Sequence, residues 1–218
     1  MVEVQEHGFI FEKWVRETFF HGYEGKYMQK WDVPPDHNNL LAIDSSHRAL
    51  PVSIKCAGFG STICLGDALR QRSTDQPFIL IAGFWHQRTV TEKWFEAIGA
   101  ARFSSKSWAA LWGALTLDRI ADLDALVKDT SVRYDVVRRA AKEWKARNVA
   151  DSGSRIVLNP KIDSKTQRRV QCSLSFDAFW ESIGEEPERL DEPELYGIPF
   201  VNPIVSGART FKKKKARG

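Results

Sequence analysis

Residues Phe78-Ile79-Leu80-Ile81-Ala82-Gly83-Phe84 form an unbroken apolar run of strand length, entered from Pro77 and left at Trp85. A run without polar alternation has no solvent face. It predicts a strand buried on both sides, in a sheet covered by other layers. That requirement points to a layered α/β fold. Upstream, His7 to Phe20 carries Ile10, Phe11, Trp14, Val15, Thr18 and Phe19 at helical spacing, and Gly22 and Gly25 end the helix. Tyr27 to Val33 is a strand candidate stopped by Pro34-Pro35, Leu40 to Ile43 is a short apolar run, and Asp44-Ser45-Ser46 is a turn. Pro51 to Cys56 is a further strand, the glycines of Gly58 to Thr62 break the chain, and Ile63 to Arg72 turns helical toward its end. The predicted order up to Trp85 is α-β-β-β-α-β.

The stretch from 90 to 147 reads as helical. Thr91 is placed to cap a segment carrying Trp94, Phe95 and Ile98. Ser107 to Leu117, with Trp108 and Trp112, and then Leu117 to Val127 and Val132 to Trp144 continue the helical spacing. Asp151-Ser152-Gly153-Ser154 is a turn. Arg155 to Leu158 and Arg169 to Leu174 then predict a β-hairpin around Asp163-Ser164-Lys165-Thr166. After Gly184 the chain is acidic and proline-containing and is expected to wrap the surface. The expected organisation is a core over 1–88, a helical region over 89–150 and the hairpin with a surface segment over 151–218, in one compact domain. No internal repeat is present.

With 218 residues the chain can bury a sizeable core. No apolar run has the length of a membrane span, and Met1 to His7 lacks an apolar signal core. Cys56, Cys64 and Cys172 show no CxxC spacing, which speaks for a reducing compartment and against zinc; a cytoplasmic location is expected. The net charge of +4 is unevenly placed: Lys128 to Arg169 holds 12 Lys and Arg against 5 Asp and Glu. Glu181 to Glu194 is acidic, and Lys212 to Arg217 is basic again. Such polarity suits a polyanion partner, the competing reading being solvated helix faces and a disordered tail.

The residues with chemical promise surround Pro51-Val52-Ser53-Ile54-Lys55. A lysine ending a buried strand is expensive to desolvate unless it is paired or working. Asp32, upstream after Lys30-Trp31, is the first candidate ligand for a divalent metal. Mg²⁺ favours one or two carboxylates, phosphate oxygen and water. Lys55 is then suited to orient the attacking water and stabilise charge on a phosphate. Asp36 and Asp44 compete for the role of Asp32, the first in a polar loop and the second in a turn. Taken singly, Asp32 as a turn cap and Lys55 snorkelling from an edge strand are the plainer readings.

This element order, with an acid followed by a strand ending in x-x-Lys, resembles the PD-(D/E)xK nuclease superfamily, the restriction-endonuclease-like fold, over Gly8 to Trp85. The resemblance implies Mg²⁺-dependent hydrolysis of DNA, with Asp32 as a metal ligand and Lys55 as a catalytic residue. It also exposes a departure. The family carries Asp or Glu two residues before the lysine, where this chain has Ser53. Some members place the acid on the following helix, which makes Asp67 the candidate substitute, against a plain reading as a helix N-terminal acid. Many members also direct a glutamate of the first helix toward the metal. Glu12 fits that role, with an i,i+4 pair to Arg16 as its alternative and Glu6 as a weaker substitute.

Lys161, Lys165, Gln167, Arg168, Arg169 and Gln171 give the predicted hairpin a composition suited to base edges in a major groove. Arg138, Arg139, Lys142, Lys145 and Arg147 mark either a phosphate-facing helix or a wet face. His86 and Gln87 are polar residues at a strand end. Trp94, Trp108 and Trp112 are expected in the core or at an interface. Gly58-x-Gly60 lacks the third glycine of a dinucleotide fingerprint. The expected protein is a Type II restriction endonuclease acting on double-stranded DNA, a homodimer by resemblance. Two rivals stand beside it: a structure-specific repair or recombination nuclease, and a non-catalytic DNA-binding protein on a degenerate nuclease core.

Overall fold

The computed structural model describes residues 6–25, 29–40, 43, 45–89, 91–163 and 167–205. The fold is mixed α/β. Its centre is the apolar run, which forms β3 (Phe78–Gln87). β3 pairs in parallel with β1 (Val52–Gly58) and antiparallel with β4 (Glu92–Phe103); β9 (Ile204–Val205) adds to the far edge, giving the order β1-β3-β4-β9. The two faces of β3 bury alternate residues in two different cores. Ile79 and Ile81 join Val52, Ile54 and Phe95 beneath α1 (Glu6–Phe19). Phe78, Leu80, Ala82 and Phe84 face the opposite core. Two covered faces explain a run with no polar alternation.

Gly83 lets α1 approach the sheet. A side chain there would meet the rings of Phe11 and Phe95 at 2.6–2.7 Å, and in its absence those rings stack with centroids 4.9 Å apart. On the other face lie α3 (Ser105–Ala110), α4 (Leu117–Lys128), α5 (Tyr134–Asn148) and α6 (Phe176–Ile183). With them is a second, antiparallel sheet formed by β2 (Ile63–Asp67), β6 (Arg168–Leu174) and β5 (Ile156–Ile162), in the order β2-β6-β5. One apolar cluster takes Phe84, Trp108 and Phe179 together, so the segments 1–88, 89–150 and 151–218 share an interior. Trp108 and Trp112 are core residues, while Trp94 is half-buried beneath the Arg88 guanidinium.

Two expectations are corrected. The helix foreseen over Trp94, Phe95 and Ile98 is strand β4. Ten register pairs to β3 override the local spacing, and the connecting turn is held by the Thr89 hydroxyl, which accepts from the amides of Thr91 and Glu92. Thr91 therefore caps no helix. The early order also differs: the described elements run α1-β1-β2-α2-β3-β4, with α2 at Ala68–Arg72. Of the strand foreseen over Tyr27 to Val33, residues 26–28 lie outside the described set, and Val33 makes a single antiparallel bridge to Val52. The Arg155–Leu174 hairpin forms as expected. Beyond Gly184 the chain follows β4: the Leu190 amide donates to the Glu96 carbonyl and Arg189 pairs with the buried Glu96 carboxylate at 3.0 Å. A short hairpin of β7 (Glu194–Leu195) and β8 (Ile198–Pro199) precedes β9. No described helix is long and apolar enough to cross a membrane.

Candidate active site

β1 uses one edge for β3 and leaves the other nearly open. The bridge between Val33 and Val52, closed by hydrogen bonds of 2.8 and 3.1 Å, brings the preceding residue, Asp32, to that open edge. There the Asp32 carboxylate accepts the backbone amide of Ile54 at 2.6 Å through Oδ2. The same oxygen accepts the Lys55 ammonium at 2.7 Å and the Ser53 hydroxyl at 3.2 Å. Lys55 Nζ also donates to the Ile54 carbonyl at 2.9 Å, which folds its stem back along the strand. The side chains of Asp32 and Lys55 are only 24% and 27% exposed. A charge pair this sheltered is screened less than a surface pair and has few water molecules to replace its partners.

α1 completes the site from above. Glu12 pairs with Arg16 one turn later. Burial pushes its carboxyl above the usual glutamate range, the nearby Asp32 carboxylate pushes it further, and Arg16 and Lys55 partly oppose this. The two readings of Glu12 are therefore compatible: it holds Arg16 and lies in the field of Asp32. A like charge nearby disfavours the ionised form. A cleft of about 530 Å³ opens beside the two carboxyl groups, lined by Glu12, Arg16, Trp31 and Asp32 among others.

Ser53 stands where the resemblance places an acid. Its hydroxyl orients Asp32 but adds no charge. Asp67 does not supply the missing one. It is the N-cap of α2, its Oδ1 accepting the Arg70 amide at 2.8 Å, and it stands opposite Gln171 in the second sheet. Its charge acts on Lys128 and Cys172. Asp36 lies in an exposed turn beside His37. Asp44 and the side chain of Glu6 lie outside the described set. His86 is exposed at the end of β3, opposite Trp94.

Among the described residues no group of three or more His, Cys, Asp or Glu could hold a metal ion. Asp32 and Glu12 line one cleft, and among the described residues the hydrogen bonds to Asp32 fall on Oδ2. Two carboxylates completed by water and substrate phosphate oxygen suit Mg²⁺, which keeps several waters, and do not suit Zn²⁺.

The second sheet divides the basic residues. Lys161 and Arg169 face one another across the β5–β6 ladder and are both exposed. Gln171 is half-buried opposite Asn159, Gln167 is exposed, and Lys165 lies outside the described residues. Arg168 is not available to a base edge. Its guanidinium donates to the carbonyls of Val127, Asp129 and Val132 at 3.2–3.4 Å, closing the C-terminus of α4. Arg138 likewise donates to the Ile162 carbonyl, which ties α5 to β5. Arg139, Lys142 and Arg147 remain exposed, and burial lowers the pKa of the half-buried Lys145.

Sequence reasoning overlooked the cleft itself. Phe9, on the side of α1 away from its apolar stripe, and Trp31, next to Asp32, both line it. The available signal was a phenylalanine on the polar face of an amphipathic helix. No family model matches the chain, and no curated protein or solved structure is similar to it.

Proposed function

We propose that this chain is a Mg²⁺-dependent endonuclease that hydrolyses phosphodiester bonds of double-stranded DNA, with a restriction-endonuclease-like core of the PD-(D/E)xK type. The observation that carries the reading is the meeting of the Asp32 carboxylate and the Lys55 ammonium, 2.7 Å apart at the open edge of a buried sheet, with Glu12 lining the same cleft as Asp32. Asp32 and Glu12 are the residues to hold Mg²⁺, which when bound supplies positive charge to the phosphate and lowers the pKa of water. The Lys55 ammonium would donate hydrogen bonds to the phosphate oxygens as negative charge develops there. Ser53 and the Ile54 amide hold Asp32 in place, so the carboxylate needs no reorientation. Lys161 and Arg169 are the exposed cations of the hairpin for DNA contact. Site-specific cutting as a homodimer is the form of this activity that the resemblance implies.

Digestion of a defined plasmid with Mg²⁺, followed by sequencing of the ends, tests the reading. Cleavage that EDTA and Asp32→Asn both abolish supports it; an Asp32→Asn protein as active as the parent overturns it. A second reading, a non-catalytic DNA-binding protein on a degenerate nuclease core, is favoured by Ser53 at the acid position and by Asp67 being spent on α2. DNA binding with no cleavage in any divalent cation decides for it.

A further inference from the structure

We propose that the cleft beside Asp32 takes up one nucleotide in unpaired form, with its base stacked on Phe9. This rests on the nuclease reading and names the state of the substrate at the site. The cleft, about 530 Å³, falls in the size class of a site for one small ligand. Phe9 lines it and is 55% exposed, whereas the apolar face of α1 is complete without it in the buried Phe11, Val15 and Phe19. The other two aromatics of the cleft have covered rings: Tyr23 lies on His37 at 4.3 Å and Trp31 on Phe78 at 5.1 Å. No described aromatic ring lies against Phe9. An open aromatic face in the cleft that Asp32 also lines matches the stacking platforms that hold unpaired bases. A base inside a duplex offers a protein only its edges, because its faces are covered by neighbouring pairs. Gln29, which also lines the cleft, accepts the Tyr23 hydroxyl through Oε1 at 3.1 Å, which leaves its amide N–H groups for a base edge.

The charge of the cleft sets a condition. Glu12, Glu17, Glu24 and Asp32 outnumber Lys13 and Arg16 along its wall, so a bare phosphate is repelled. A nucleotide enters with a divalent cation, whereas contacts made by the exposed hairpin cations need none.

Two duplexes of one sequence test this, one fully paired and one carrying a single unpaired 2-aminopurine. Binding to the full chain is measured with Ca²⁺ in place of Mg²⁺, so that the readout is independent of cleavage. The unpaired duplex is expected to bind at least about 10-fold tighter, with its fluorescence quenched by stacking, and EDTA removes the preference. Phe9→Ala is expected to weaken the unpaired duplex alone by about 5- to 150-fold, and Phe9→Trp to restore it. Equal affinity for the two duplexes, equal losses on both in Phe9→Ala, or a Phe9→Trp protein as weak as Phe9→Ala overturns the proposal. If the chain proves not to cleave DNA, the nuclease reading fails while this binding difference still stands or falls by itself. Cleavage of paired DNA that is indifferent to Phe9 removes the nucleotide subsite and leaves the nuclease.

Discussion

The α1–β1 seam and the β5–β6 hairpin with α5 use charge in opposite ways. In the seam, Asp32, Lys55, Glu12 and Arg16 are sheltered and act on one another. The hairpin region is rich in cations, yet its best-placed arginines are consumed by backbone carbonyls: Arg168 by the end of α4 and Arg138 by Ile162. Charge density along a chain is thus a poor guide to a site. Convergence of charges where water is scarce is a better one, because each group there must be answered by another.

That contrast can be broken by exchanging roles. Lys55→Ala is expected to reduce cleavage by about 100- to 1,000-fold with little loss of fold, since Asp32 keeps the Ile54 amide. Plasmid nicking rates and thermal melts check both halves; a collapse of the melt with the fold lost makes the lysine structural. Arg168→Ala should behave in the reverse sense. Losing the clamp on the end of α4 lowers stability by about 1–3 kcal/mol, with any change in DNA affinity uniform across sequences. Denaturant melts and a mismatch series read this out, and a base-specific loss would return Arg168 to DNA recognition.

The seam also predicts a pH response. His7 accepts the Lys93 ammonium at Nδ1 over 2.9 Å and packs edge-on to Trp85, so burial first and Lys93 second lower its pKa from the ordinary 6.5 to about 4. Between those values the unfolded chain binds a proton that the folded chain refuses. Stability is fully present above pH 6.5 and falls as the pH drops toward 4. His7→Gln should flatten that part of the Tm–pH curve; an unchanged slope shows that other groups set it. The smallest effect is expected on the hairpin: Arg169→Ala leaves the melt unchanged and reduces the salt dependence of DNA binding by about one unit. A preference relaxed at one base position would instead assign it to base reading.

Much of the fold was legible because burial on two faces leaves an unmistakable trace. The run Phe78 to Phe84, the amphipathic α1 and the hairpin of Arg155 to Leu174 are each written in local pattern, and each forms. Strand β4 was not legible. Trp94, Phe95 and Ile98 have helical spacing, and only the ladder to β3, a long-range partner, makes extended backbone the better state. The site divides along the same line. Asp32, Lys55 and Glu12 stood out as candidates by their types and neighbours; the structure pairs the first two and sets Glu12 and Asp32 in one cleft. Whether Glu12 faces Asp32, whether Asp67 reaches the same point and whether Arg168 is free for a partner depend on elements far apart in sequence. Packing decided those: α1 packs against β1, Asp67 caps α2, and Arg168 closes α4. Local pattern records what a residue must avoid, which is water or its absence; only the assembled structure states what the residue meets instead.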